Sequence, residues 1–406
     1  MSKGLLGINV SLSYSHDYFV YNETLVSSNS TIMGNYVSAV DHSEGLHKFQ
    51  ESYRPIHGYL AAIVCVFGVI ANILNIIILT RKNMISSTNI ILTGLAISDG
   101  LTMALYFPYA LQMYVIYGTV AHPQRDTIGC ARFQMAYAIL SVILHSISIW
   151  LTVTLAVFRY VFIRFPRRGA KLCSVKRAKL SVIIVSVVVT IVCIPNSVNY
   201  SIYSDTMSAL KNDTSKVNGT IFWIDVKNNY FWEQVMKKCN FWIQATLVKI
   251  IPCVLLTIFS FLLVRTMRGA ERRRKLLMNQ TSCTPNNGET QPIGNGSKRS
   301  KRSIRTTRML LTVVILFLIT EIPQGVMHVL SDLIENFFHK VYTPLGDLMD
   351  ILTLINNGIN FVLYCTMSKQ FRDTFLMMFC SCFPKLVDRR KLTNVTTIGA
   401  TRDSEV

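Results

Sequence analysis

Seven stretches of this chain are too long and too apolar to be accommodated in water: residues 56–80, 89–116, 130–163, 178–201, 241–267, 304–331 and 343–366. A helix needs roughly 20 apolar residues to cross the hydrocarbon of a bilayer. The first stretch, YLAAIVCVFGVIANILNIIILT, carries no charge at all. Inside lipid the backbone must satisfy its own hydrogen bonds, which a helix does within one segment. The expected fold is therefore all-α, a seven-transmembrane helix bundle. It occupies residues 56–367, after a polar tail over 1–55 whose first 52 residues read as disordered. Residues 368–380 follow, where Phe371, Phe375 and Phe379 recur at helical spacing. They predict a short amphipathic helix lying along the inner membrane surface. Residues 381–406 form a second tail.

The net charge of +19 is large, but its placement argues against nucleic acid as the partner. Lys and Arg concentrate in alternate loops: Arg81 and Lys82 after span one, Arg164 to Lys179 after span three, RTMRGAERRRKLL and SKRSKRSIRTTR between spans five and six, and Lys369 to Lys391 after span seven. The positive-inside rule then puts the N-terminus outside and the C-terminus inside a plasma membrane. The basic loops would also meet anionic lipid of the inner leaflet. No basic start followed by a short apolar core precedes span one, so that span is expected to act as its own signal anchor. Glycosylation sequons cluster on the expected outer side, at Asn9, Asn22 and Asn29 in the tail and at Asn212 and Asn218 in the loop after span four. Cys130 and Cys239 both fall on that oxidising side. They either form a disulfide tying the long loop to span three or remain two free thiols. Cys380 and Cys382, just beyond the surface helix, are candidates for palmitoylation, with plain free thiols as the alternative.

Polar side chains within the spans need a reason, because a buried polar group without a partner is expensive in lipid. Span one carries Asn72, span two Asp99, span three His145, Ser146 and Ser148, span five Lys249, span six Glu321, and span seven Asp350, Asn356, Asn357, Asn360 and Tyr364. Asp99 is expected to face the bundle interior, with Asn72, Ser148, Asn356 and Asn360 as partners. Such oxygens suit a small hard cation such as Na+ with water; otherwise Asp99 only joins helices. Glu321 lies two residues before Pro323, which lacks an N–H and leaves the Ile319 carbonyl without its helical partner, so span six can bend there. The carboxyl is open to three readings: protonated, paired with His145 or Lys249, or facing a cationic ligand. Nothing in the sequence has the pattern of a catalytic triad, a metal cluster or a phosphate loop, so no enzyme is expected.

The order of GVIAN, LAISD, WLTVTLAVFRY, a proline in spans five and six, and NFVLY resembles a rhodopsin-type (class A) G-protein-coupled receptor over residues 56–380. Within that family TEIPQG and HSISIWLTVTLAVFRY resemble the myosuppressin and sex-peptide receptor branch of invertebrate neuropeptide receptors. The resemblance implies that Arg159, with Tyr160, is the signature arginine that engages a heterotrimeric G protein. Asn360 and Tyr364 would be the outer members of an Asn-Pro-x-x-Tyr motif, and Asp99 the sodium-pocket aspartate. Two departures stand out: Phe158 replaces the acid before the arginine, and Phe361 replaces the proline of span seven. Glu321 occupies the position of the family's toggle tryptophan.

The resemblance further implies an amidated peptide ligand of the FMRFamide or myosuppressin type, an inhibitory G protein, and arrestin as a partner. A ligand arginine would suit a carboxylate, at Glu321 or at Asp350, with Asp347 nearer the mouth. Gln324, His328 and His145, with the aromatics Tyr106, Phe107, Tyr109 and Tyr114, are candidates for the pocket wall; the aromatics read equally well as packing residues. An amine ligand is disfavoured, because Ser141 stands where amine receptors need an aspartate. The C-terminal DSEV fits a PDZ-domain ligand ending at Val406. The competing functions are a receptor for a lipid or small polar molecule and a small channel or transporter. The second lacks the inverted repeats that fold would bring.

Overall fold

The computed structural model describes residues 37–117, 125–210, 216–227, 230–282, 294–334 and 336–379. Seven of its helices are long and apolar enough to cross a membrane. Span one is Val37–Leu79, span two Ser87–Ala110, span three Ile128–Arg164 and span four Val175–Val198. Span five joins Phe231–Ile243 to Ile251–Ser282. Span six is Gly294–Leu333 and span seven Thr343–Met367. Their starts follow ordinary capping chemistry: the hydroxyls of Ser86, Thr127 and Ser174 accept from the N–H groups of Asn89, Cys130 and Arg177.

Three spans contain a wide turn with i→i+5 bonding beside a proline. Leu111–Ile116 follows Pro108, Gln244–Ile250 precedes Pro252, and Phe338–Tyr342 precedes Pro344. Pro252 has no N–H for the Val248 carbonyl, and the Ile251 N–H already reaches back to the Thr246 carbonyl. This widening carries Lys249.

Two parts of the expected layout are corrected. Span one begins at Val37, so the helix extends into the segment read as a tail. Its early turns dock on neighbours: Tyr53 stacks on Phe49 at 5.6 Å, the Gln50 amide donates to the Thr343 carbonyl at 3.4 Å, and Arg54 meets Asp347 at 3.6 Å. These polar anchors leave no apolar periodicity for a sequence scan to find. The long loop after span four is also built. Strands β1 (Tyr200–Leu210) and β2 (Lys216–Val226) form an antiparallel hairpin running from the pair Tyr200–Val226 to Leu210–Lys216. Tyr200 and Ile224 are buried in the cluster that holds Tyr137 and Met103, and the Phe222 N–H donates to the Asp126 carbonyl at 2.8 Å. The hairpin thus packs on that end of the bundle.

At the opposite end the amphipathic helix appears at Lys369–Phe379, matching the expected boundary. Phe371 is buried against Tyr364 and Phe361, and Phe375 lies 5.7 Å from Phe361. Arg372 donates to the carbonyls of Cys365 and Thr366, closing the end of span seven. Asn9, Asn22, Asn29, Asn212, Cys380, Cys382 and Val406 lie outside the described residues, and Asn218 pairs with Ser208 on the hairpin.

Glycines let the first two spans approach. A Cβ built at Gly58 would stand 2.5 Å from the Cβ of Tyr114, an atom that cannot swing aside. Gly58→Val must therefore force spans one and two apart. The expected loss is about 1–3 kcal/mol, read as a lower unfolding midpoint of the solubilised protein; an unchanged midpoint would contradict close packing at this crossing.

Candidate functional site

The wide turn of span five points Lys249 into the bundle, where its ammonium meets three side chains. Nζ lies 2.7 Å from Glu321 Oε2, 2.9 Å from Gln324 Oε1 and 3.2 Å from His145 Nε2. His145 Nε2 is also 3.2 Å from Glu321 Oε1. Gln324 extends the network to span seven, donating to Thr353 Oγ1 at 2.7 Å and to the Met349 carbonyl at 3.3 Å. Four spans are thereby joined at one depth. Glu321 and Lys249 are 1% and 5% exposed, so the pair is dry and its partners are needed.

Of the readings open for Glu321, the structure has the paired one: the carboxylate is held by Lys249 and faces His145. The imidazole bonds to Lys249 through Nε2, while Glu321 Oε1 lies near it without a hydrogen-bond partner. His145 Nδ1 has no partner.

Above this hub, toward the hairpin, lies a narrow cavity of about 50 Å³. Tyr106, Tyr137, Tyr342 and Asp350 line it, with His145, Lys249, Gln324 and His328. His328 is 4% exposed, stacks on Phe241 at 4.4 Å, and has no partner for Nε2. The Tyr106 hydroxyl connects to Asp350 at 3.4 Å and to fully buried His57 at 2.8 Å. Tyr109 does not line the cavity: it is buried and stacked on Tyr137 at 4.5 Å, as a packing residue. Asp347 is turned to Tyr114 at 2.8 Å and Arg54 at 3.6 Å, bracing spans one, two and seven. His57, Tyr137, Tyr342 and Thr353 escaped the sequence reading. The signal for His57 was present, a lone imidazole at the start of an apolar span; the others are ordinary helix residues until the helices are rotated into place.

Deeper in the bundle Asp99 is 2% exposed. Ser148 donates to Oδ1 at 2.7 Å and Asn360 to Oδ2 at 3.2 Å, as two of the four expected partners. Asn72 is instead directed to the carbonyls of Gly68 and Asn357 at 3.0 and 3.1 Å, because its helix crosses span seven where Gly68 and Gly358 are small. Asn356 makes no bond to Asp99. The carboxylate and the Ser148 hydroxyl suit a Na+ ion, whereas the Asn360 amide presents nitrogen and would have to turn.

The disulfide expectation is not met: Cys130 and Cys239 are free thiols. Cys130 is buried in the first turn of span three with the Gln134 amide 3.3 Å away. Cys239 is exposed on a helix that begins at Phe231, rather than in a loop able to reach across.

At the far end of span three Arg159 is half-buried, and its Nε has no partner. Among the described residues no carboxylate pairs with it, consistent with Phe158 in place of an acid. Tyr160 packs on Phe259 at 5.9 Å, and Tyr364 is buried against Phe371.

A seven-helix bundle with a buried polar hub, a cavity at one end and an unpaired arginine at the other is the construction of a membrane receptor. Residues 59–382 match the family described as serpentine type 7TM GPCR chemoreceptor Srw, and the chain belongs to the seven-transmembrane G-protein-coupled receptors. It is 34% identical to G-protein coupled receptor dmsr-1 of Caenorhabditis elegans, over 80% of this chain and 68% of that protein. It is 28% identical to the sex peptide receptor of Drosophila melanogaster (81% and 73% covered) and 27% identical to the FMRFamide receptor of the same organism (79% and 53%). The fold is that of squid rhodopsin, at a TM-score of 0.59 and 16% identity over 82% of this chain and 87% of that one. The chain is thus a multi-pass membrane receptor.

Lys249→Met would leave Glu321 buried without its cation. It should cost about 3–5 kcal/mol of stability, whereas Lys249→Met with Glu321→Leu should recover most of that loss. Thermal unfolding of the two variants measures this, and equal losses in both would show that the pair is not coupled.

Proposed function

We propose that the chain is a plasma-membrane receptor for an amidated neuropeptide of the FMRFamide or myosuppressin type, with the hairpin end outside, and that it activates an inhibitory heterotrimeric G protein. The observation that carries the reading is the cavity beneath the hairpin, lined by Asp350 and by Lys249, His145 and Gln324 of the hub that joins spans three, five, six and seven. Two relatives named for peptides, the sex peptide and FMRFamide receptors, support the ligand class.

The basic group of the peptide goes to Asp350, which lines the cavity, whereas Glu321 does not. Tyr106, Tyr137 and Tyr342 line the same space and add cation–π attraction. The peptide's amide end reaches His328 and Gln324. Binding favours the conformer in which span six swings at Pro323 and the Lys249–Glu321 contact loosens, so the effect is a population shift. The opposite end then opens around Arg159, Tyr160 and Tyr364 to admit the G protein. Arrestin engages the same opening. Na+ at Asp99 and Ser148 would favour the closed conformer.

Two measurements test this on cells expressing the full chain. Arg159→Ala should abolish peptide-stimulated G-protein dissociation while peptide binding persists. Asp350→Asn should weaken the potency of an arginine-containing amidated peptide by about 10–1,000-fold, from loss of one charge-assisted contact. No response of the unaltered receptor to any amidated peptide would defeat the ligand assignment, and full potency of Asp350→Asn would move the basic group elsewhere.

A further inference from the structure

On the other side of Lys249 from the ligand cavity lies a groove of about 490 Å³ between spans five and six. Its rims are Ile250, Val254, Ile258, Ile322 and Val326, all at least 39% exposed. Its walls run from Lys249 to Ile258 on span five and from Ile322 to Leu330 on span six, within two segments apolar enough to cross a membrane. The groove therefore opens at the depth of the hydrocarbon, where neither headgroups nor water-soluble ligands reside.

We propose that this groove holds one acyl tail of a membrane phospholipid, which seals the lipid-facing side of the Lys249–Glu321 pair. Three observations select that occupant. The polar lining atoms are engaged: Lys249 Nζ has its three partners, and the Thr257 hydroxyl donates to the Cys253 carbonyl at 2.8 Å. The rest of the lining is almost all carbon, which a hydrocarbon chain covers without needing a hydrogen-bond partner. Gly325 lines the groove; a Cβ there would stand in ordinary contact with Lys249 Cβ at 3.5 Å, and a side chain longer than alanine would take up groove space. Finally, the aliphatic stem of Lys249 is the wall between groove and hub, so a tail seated there keeps the ion pair in a low-dielectric surrounding, where its attraction is strongest. The inference is independent of which ligand the cavity takes.

The test uses the full chain in nanodiscs of phosphatidylcholine containing a phosphatidylcholine with a diazirine at the middle of one acyl chain. After irradiation, labelled residues are mapped by mass spectrometry. Labelling is expected at Cys253, Val254 and Val329 in excess of that on the exposed face of span four at Ile183, Val187 and Ile191. Gly325→Leu should lower groove labelling about tenfold and leave the span-four signal unchanged; Val329→Trp, filling the groove from the rim, serves if the first variant does not fold. Equal labelling of groove and span four overturns the proposal, since ordinary bilayer contact would then suffice. So does undiminished labelling in a folded groove-filling variant, or displacement of the probe by cholesterol.

Discussion

The Lys249–Glu321 ion pair is the constraint around which the bundle is arranged. Two opposite charges 2.7 Å apart and almost wholly buried must keep each other, because neither can be rehydrated without opening the helices. Satisfying the pair brings in His145 from span three and Gln324 from span six, and Gln324 in turn reaches span seven through Thr353. The acid of this network lies two residues from the proline of span six, where the helix lacks one backbone hydrogen bond.

The two ends of the molecule are built differently around that centre. At one end, the hairpin, the early turns of span one and a cluster of tyrosines pack together, with Asp347 pinned by Tyr114 and Arg54. That end is braced, and the cavity beneath it is narrow. At the other end the arginine of span three has an unpartnered Nε, and span seven is steadied by aromatic contact between Phe361 and the surface helix. Phe361 therefore helps anchor that end through its packed ring.

Much of the architecture was legible because lipid solvent imposes a simple rule on composition. Unbroken apolar stretches gave away all seven spans, and three phenylalanines at helical spacing gave away the surface helix. The candidate residues at the centre were legible for the same reason, since Glu321, Lys249, His145 and Asp99 are anomalies in an apolar background. What escaped had no such contrast. The hairpin carries mixed polar and apolar residues, and the first turns of span one are held by Gln50 and Arg54 through partners far away in the chain. Tyr109 and Tyr106 look alike in sequence, yet one faces the core and the other the cavity.

By itself the sequence determined the number of spans, the polar residues they bury and the places where prolines break their ladders, because each of these follows from local composition and backbone chemistry. Only the tertiary structure decided which buried groups meet. Helix rotation and the wide turn before Pro252 set the direction of Lys249, and that direction settled Glu321 as a paired carboxylate. The free state of Cys130 and Cys239, the loss of Asn72 and Asn356 from the Asp99 site and the covering hairpin were settled in the same way. Contacts between spans depend on rotations of a few tens of degrees about each axis, and no single segment encodes the rotation of its neighbours.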